Sequence, residues 1–199
     1  MPLSRAERKY LKNKHKGGKN NAVGNQYENF FSTYKIAEII YQYCTQLPCI
    51  KLSSQLHEAF VDDLLIEEPN HEIYHQIKCV KELTWNTGKN GHTILNDFIR
   101  QKEILEEKKG KFSLKLVYSK EKSTVKAIPA DIKGVSTVHY FPYRDSINSL
   151  ILTCAEFKDA ISNIARNPSP TDDELSGIAS SILGAWSSNV QKELSVQTI

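Results

Sequence analysis

From Gln26 to about Cys44 the apolar and aromatic residues Tyr27, Phe30, Phe31, Tyr34, Ala37 and Tyr41 recur at intervals of three and four. That spacing predicts a long helix with one packed face, stopped by Pro48. Three short strands follow, over Cys49 to Leu52, Ala59 to Ile66 and Glu72 to Val80, and Pro69-Asn70 turns the last two into a hairpin. A polar loop from Trp85 to Gly91 leads into a helix from about Thr93 to Lys109, whose apolar face is Ile94, Leu95, Phe98, Ile99 and Leu105. Phe112 to Tyr118 alternates in the manner of a strand, Val135 to Phe141 adds an edge strand, and Ser146 to Arg166 reads as mainly helical. The last helix has the clearest start. Thr171 is its N-cap and Asp172, Asp173 and Glu174 fill the first turn, where the helix dipole favours anions. Its stripe of Leu175, Ile178, Ala179, Ile182, Leu183, Trp186 and Val190 suits either core or a protein contact. The order helix, three strands, helix, strand, with additional C-terminal helices, predicts an α/β fold.

Length and composition bound this picture without changing it. The 199 residues suit one domain, over residues 22–199, with a C-terminal helical extension over about 144–195. No stretch approaches the roughly 20 apolar residues of a membrane span, and the basic start lacks the apolar core of a signal peptide, so a cytoplasmic protein without membrane contact is expected. Cys44, Cys49, Cys79 and Cys154 form no CxxC pair and predict free, mostly buried thiols. His71, His75 and His92 lack metal-ligand spacing.

Charge does change the picture. The net charge of +3 hides an asymmetry: within residues 1–20, Arg5, Arg8, Lys9, Lys12, Lys14, Lys16 and Lys19 face a single acid, Glu7, so this segment is +6 and the rest about −3. With Gly17-Gly18 as a joint, residues 1–21 predict a flexible basic arm. Such an arm gains phosphate contact by counterion release, with a salt slope on the order of −5 if most of its cations engage. A disordered, solubilising tail is the plainer alternative.

The chemistry concentrates on the hairpin. Its first strand contains Val61-Asp62-Asp63-Leu64 and its second Tyr74-His75-Gln76-Ile77-Lys78, with twelve residues between Asp63 and Gln76. Side chains alternate across a strand, so Tyr74, Gln76 and Lys78 share one face while Ile73, His75 and Ile77 take the other. A hairpin register that sets Asp63 across from Gln76 and Lys78 completes the group. The same alternation allows only one of Asp62 and Asp63 onto that face, and a one-residue shift exchanges them. A carboxylate, an amide oxygen and an ammonium then converge, which suits phosphodiester hydrolysis. Magnesium takes oxygen ligands, and a cation near the phosphate offsets developing charge. Asp63 and Gln76 are the expected metal ligands, with Asp62 the alternative to Asp63. Because magnesium usually takes one or two carboxylates, Glu28, expected in the first turn of the opening helix, is the candidate for a second.

At these residues the chain resembles the PD-(D/E)xK nuclease superfamily, in a Q-x-K variant similar to Mrr-type restriction endonucleases and to nuclease modules of bacterial anti-phage effectors. The resemblance runs over about residues 24–120 and rests on Glu28, Asp63 and Gln76-Ile77-Lys78. The family's proline is absent, Val61-Asp62 standing before Asp63, and glutamine replaces the usual acid. The resemblance implies a three-layer restriction-endonuclease-like core and an Mg2+-dependent DNA endonuclease, also served by Mn2+, acting in phage defence or restriction. Glu28, Asp63, Gln76 and Lys78 are then its catalytic residues. Relatives join the nuclease to a sensor or ATPase, so a partner protein of that kind or a homo-oligomer is expected. Two rivals stand beside it: a non-catalytic nucleic-acid-binding or assembly subunit on a degenerate nuclease fold, and an RNA-cleaving toxin.

Beyond the quartet, Lys81, Trp85, Lys89 and Asn90 beside the site, together with Gln101 and Lys102 on the following helix, are candidate DNA contacts. A solvated helix face is the alternative for Gln101 and Lys102. Tyr140 to Tyr143 reads as packing.

Overall fold

The computed structural model describes residues 3–18, 22–43, 49–89, 92–121, 125, 127–188 and 194–195. The side chains of 15–18, 89 and 194–195 are outside that description. The chain runs α1 (Arg5–Gly18), α2 (Ala22–Gln42), β1 (Lys51–Ser54), β2 (Leu64–Glu68), β3 (His71–Lys78), β4 (Gly88–Lys89), β5 (His92–Thr93), α3 (Ile94–Lys108), β6 (Phe112–Tyr118), β7 (Ser136–Tyr140), α4 (Ile147–Thr153), α5 (Ala155–Ser162), α6 (Asp172–Ser187) and β8 (Leu194–Ser195). A mixed sheet in the order β7-β6-β3-β2-β1-β8 carries the α/β class expected from the sequence.

Within the sheet β2 and β3 form the expected hairpin, with Glu68 opposite His71 and Leu64 opposite His75. β6 then lies parallel to β3, with Gln76 beside Leu116 and Lys78 beside Tyr118. A parallel neighbour requires a crossover, and α3 supplies it. Thr93 caps α3 by accepting from the Asn96 N–H, and Lys109 closes it in the left-handed region, at φ 59°. The connection before α3 is not a plain loop, because β4 and β5 form a small ribbon in it. Gly88 there has φ 152°, and a Cβ at that position would lie 1.9 Å from the His92 carbonyl oxygen. Only glycine permits that approach.

Alternation along β3 divides the core. Ile73 and Ile77 pack with α2, α4, α5 and α6 around Phe31, Phe141, Phe157 and Trp186. Tyr74 packs on the opposite side with Leu114, Leu116, Trp85, Phe98 and Leu105. The α6 stripe is core: Leu175, Ala179, Ile182 and Trp186 are buried, and the Thr171–Glu174 pair forms a full capping box at its start. Val190 lies outside the described residues.

Several expectations need correction. The basic arm is not a plain flexible tail, since residues 5–18 form α1. The second strand begins at Leu64 rather than Ala59, because the Phe60 and Val61 N–H groups are turned to the side chain of Gln101 instead of a neighbouring strand. The helical run after Ser146 is broken at Cys154, whose extended backbone separates α4 from α5. Of the described cysteines only Cys154 is buried, while Cys49 is exposed. The expected helix end at Cys44 to Pro48 lies outside the described residues. Among the described residues no helix is long and apolar enough to cross a membrane.

Candidate active site

Asp63 lies immediately before β2, where the chain has not yet entered the ladder and its carboxylate is free to face the end of β3. Its Oδ2 accepts from the Ile77 N–H at 2.6 Å and from Lys78 Nζ at 3.2 Å. The same oxygen takes a hydrogen bond from Gln76 Nε2. A carboxylate that is 7% exposed is thus met by three donors, as a buried charge requires. Lys78 is 30% exposed along its side chain, so its ammonium is paired inside yet open to solvent.

Asp62 is on the same side. Strand alternation does not place Asp62 and Asp63 on opposite faces here, because both precede β2, in a loop. Asp62 Oδ1 accepts from Gln76 Nε2 at 3.4 Å and pairs with Lys14 Nζ at 3.1 Å. Burial, then the charge of Asp63, raises the Asp62 pKa above the ordinary carboxylate value, against the opposing charges of Lys14 and Lys78.

Glu28 reaches the same place from α2. The helix begins at Ala22, so Glu28 sits in its second turn rather than its first. Gln55 Nε2 donates to its Oε2 at 2.9 Å, from a residue in the left-handed region at φ 54° that turns the chain out of β1. Burial, then the charge of Asp63, pushes the Glu28 carboxyl up to about 8, although Lys78 pulls the other way. Glu28, Asp63 and Lys78 therefore act on one another electrostatically.

Gln76 is oriented differently from that expectation. Its Oε1 accepts from Lys14 Nζ at 3.1 Å, and its Nε2 points at the two aspartates. An ammonium can only donate and carboxylates can only accept, so this amide has one possible orientation here. Its oxygen faces α1 and its nitrogen faces Asp63.

Two members of the site escaped the sequence reading. Lys14, expected among the phosphate-binding cations, turns inward from α1, and Asp97, in the first turn of α3, holds it at 3.1 Å. Burial opposes the Lys14 charge, but Asp62, Asp97 and Asp63 outweigh it and hold its pKa above the ordinary lysine value. A signal for α1 was present: Ser4 and Glu7 have capping-box spacing, and the Ser4 N–H donates to Glu7 at 2.7 Å while the Glu7 N–H donates to Ser4 Oγ at 3.2 Å. Asp97 carried no comparable local signal.

The remaining candidates divide. Arg5, Arg8, Lys9 and Lys12 are exposed on α1, and Lys81 is exposed beside the site. Lys19 and Asn90, and the side chains of Lys16 and Lys89, lie outside the described residues. Gln101 is no DNA contact: it is 3% exposed, and its Oε1 accepts from the Phe60 N–H at 2.8 Å. Trp85 is likewise internal, donating to the Val125 and Ala127 carbonyls and standing edge-on to Phe98. Lys102 donates to the Asp131 carbonyl at 2.8 Å. His92 stacks on Tyr10 with ring centroids 3.7 Å apart.

Comparison of the chain with protein-family models, with curated proteins and with solved structures finds no match.

Proposed function

We propose that this chain is a divalent-metal-dependent DNA endonuclease with Asp63, Glu28 and Lys78 at its centre. The observation that carries the reading is the crowding of four carboxylates, Glu28, Asp62, Asp63 and Asp97, around two ammoniums, Lys14 and Lys78. Glu28 is pushed up to about 8 chiefly by burial and by Asp63, while Lys78 lies 3.2 Å from Asp63. Like-charged groups gathered at a partly buried place, outnumbering the two lysines, call for a further cation.

The residues fit such an ion. Among the described residues no three His, Cys, Asp or Glu side chains are grouped closely enough to hold a metal by themselves. Magnesium and manganese in phosphate chemistry do not require that, since one or two carboxylates suffice when water and substrate oxygens complete the shell. Asp63 and Glu28 would hold the ion, and bound there it would polarise the phosphate and acidify water. The protein's own groups do the rest. Ile77 N–H fixes the Asp63 carboxylate, Gln55 fixes Glu28, and the solvent-facing ammonium of Lys78 is placed to meet a phosphate oxygen and offset charge as the bond breaks.

The order α2, β1, β2, β3, α3, β6 is consistent with a restriction-endonuclease-like core, and the sequence resemblance supports a role in phage defence or restriction beside a sensor or ATPase partner. A binding module is the second reading. The exposed Arg5, Arg8, Lys9 and Lys12 favour it, because they offer phosphate contacts whether or not the site cuts.

Incubating the purified protein with supercoiled plasmid and Mn2+ tests the proposal. Asp63→Ala and Lys78→Ala should each lower the cleavage rate by about 10²–10³-fold, the scale of losing one transition-state contact. Cleavage surviving both substitutions would sink the site; DNA retention without cleavage would favour the binding module. An RNA substrate in parallel separates a DNase from an RNA-cleaving toxin.

A further inference from the structure

α1 is fastened to the molecule by a row of polar contacts along one face, with the Tyr10 ring stacked on His92 beside them. Glu7, Tyr10 and Lys14 are spaced three and four apart, so they line up on a helix. Glu7 accepts from Arg100 Nε at 2.6 Å, and the Tyr10 hydroxyl lies 3.0 Å from both Asp97 oxygens. Leu11 is the helix's buried aliphatic residue. The Tyr10 ring, stacked on His92 and 6.1 Å from that of Phe60, adds ring contact to the polar row.

At the end of this row the Lys14 ammonium enters a cage of oxygens. It is bonded to the Phe60 carbonyl, lies 3.1 Å from Gln76 Oε1 and Asp97 Oδ2, and pairs with Asp62 Oδ1 at 3.1 Å. Four oxygens thus surround a group with three protons. The oxygens come from a loop, a strand and a helix, and comprise two carboxylates, an amide carbonyl and a peptide carbonyl. That is the hard-oxygen set of Mg2+, Mn2+ and Ca2+, and the observed occupant is itself a cation.

We propose that Lys14 is a tethered substitute for a divalent cation, so that docked α1 and a metal ion at Phe60 O, Asp62, Gln76 Oε1 and Asp97 exclude one another. The role assigned to the ion rests on the nuclease reading; the competition does not. While Lys14 is in the cage, the Gln76 oxygen is turned away from Asp63 and the electrostatic demand of Asp62 and Asp97 is met from within. When α1 lifts, two carboxylates and two neutral oxygens are released together. The chain as described is the closed form.

Calorimetric titration of the full chain with Mn2+ tests the competition. Lys14→Met keeps the length of the side chain and removes its charge, and should tighten Mn2+ binding at least tenfold. Arg100→Ala, which breaks the Glu7 contact without touching the four oxygens, should give a smaller gain. In the parent chain, saturating Mn2+ should speed amide hydrogen exchange over residues 5–14. Equal Mn2+ affinity in the parent and in Lys14→Met would overturn the proposal. If Lys14→Met fails to fold, the other two measurements decide: unchanged affinity in Arg100→Ala with undisturbed exchange in α1 also overturns it. A chain that shows the Mn2+ pattern yet cuts no DNA leaves the competition standing and the nuclease reading fallen.

Discussion

His75 and Gln76 are adjacent on β3 and equally buried, at 0% and 1% exposure, yet the two faces of the strand treat them in opposite ways. Gln76 faces charge: its amide is bracketed by Lys14, Asp62 and Asp63. His75 faces the α2 side, where its ring lies 5.6 Å from that of Phe31. Its Nδ1 donates to the Leu64 carbonyl at 3.3 Å, and its Nε2 has no partner among the described residues. Burial holds the His75 pKa well below the ordinary histidine value and the ring neutral. On one face charges meet and offset one another; on the other His75 is a neutral ring, which Lys35 and Lys115 nearby help to keep uncharged. Under the proposed function the first face carries the chemistry and the second mainly packing, so substitutions on the two faces should separate activity from folding.

The largest stability effect belongs to the α2 face. Phe157 is fully buried beside Phe141, and Phe157→Ala should cost about 3–5 kcal/mol, the range for emptying a packed aromatic site. Thermal melting should show a Tm lower by on the order of 6–20 °C. Plasmid cleavage per folded molecule, measured well below that Tm, should stay at the parental rate. A loss of activity as deep as that of Asp63→Ala would break the separation of the faces.

A smaller effect is expected at His75, and its sign depends on pH. The unfolded chain takes up the proton near pH 6.5, while the folded pKa is much lower, so between those values the unfolded state binds more protons. Stability is therefore complete above about pH 6.5 and falls as pH drops below it. His75→Leu removes both the titration and the unpaired nitrogen at nearly constant volume. Melts of the two proteins should nearly agree at pH 7.5 and diverge toward pH 5, with the variant the more stable. Parallel curves would show that His75 does not carry the acid sensitivity of this face.

The contrast also accounts for what the sequence revealed. Repetition and local signals mark the elements that were legible: the α2 aromatics, the alternation in β6, whose Leu114 and Leu116 pack on the Tyr74 side, and the cap at Thr171 all formed close to where they were expected. Gln76 and Lys78 shared a face for the same reason. The charged face depends on contacts between distant residues. Phe60 and Val61 read as strand because they are apolar, but Gln101, about 40 positions away, takes their N–H groups and leaves both aspartates in a loop. Lys14 read as one cation among seven because the residues that draw it inward, Asp62, Gln76 and Asp97, lie 48 or more positions further along. No local pattern distinguishes it from Lys12. The capping-box spacing of Ser4 and Glu7 announces a helix but says nothing of where that helix docks.

Glu28 offers the finest test, because it stands on the α2 helix but serves the charged face. Its pKa in the folded chain is about 8, against about 4.3 for an unfolded glutamate. Below pH 4 both states are protonated and the residue contributes no pH slope. Between those values the folded state holds the extra proton, so stability falls as pH rises, and the penalty is complete above about 8. Glu28→Gln keeps the shape and cannot ionise. Its Tm should match the parent's at pH 4 and exceed it at pH 9, by on the order of 2–4 °C for each kcal/mol of repulsion removed. Manganese sharpens the comparison: a cation held by Asp63 and Glu28 offsets the repulsion in the parent, so Mn2+ at pH 9 should raise the parental Tm more than that of Glu28→Gln. If Mn2+ shifts both proteins equally, Glu28 is a buried acid that takes no part in holding the ion, and the second carboxylate must be sought at Asp62.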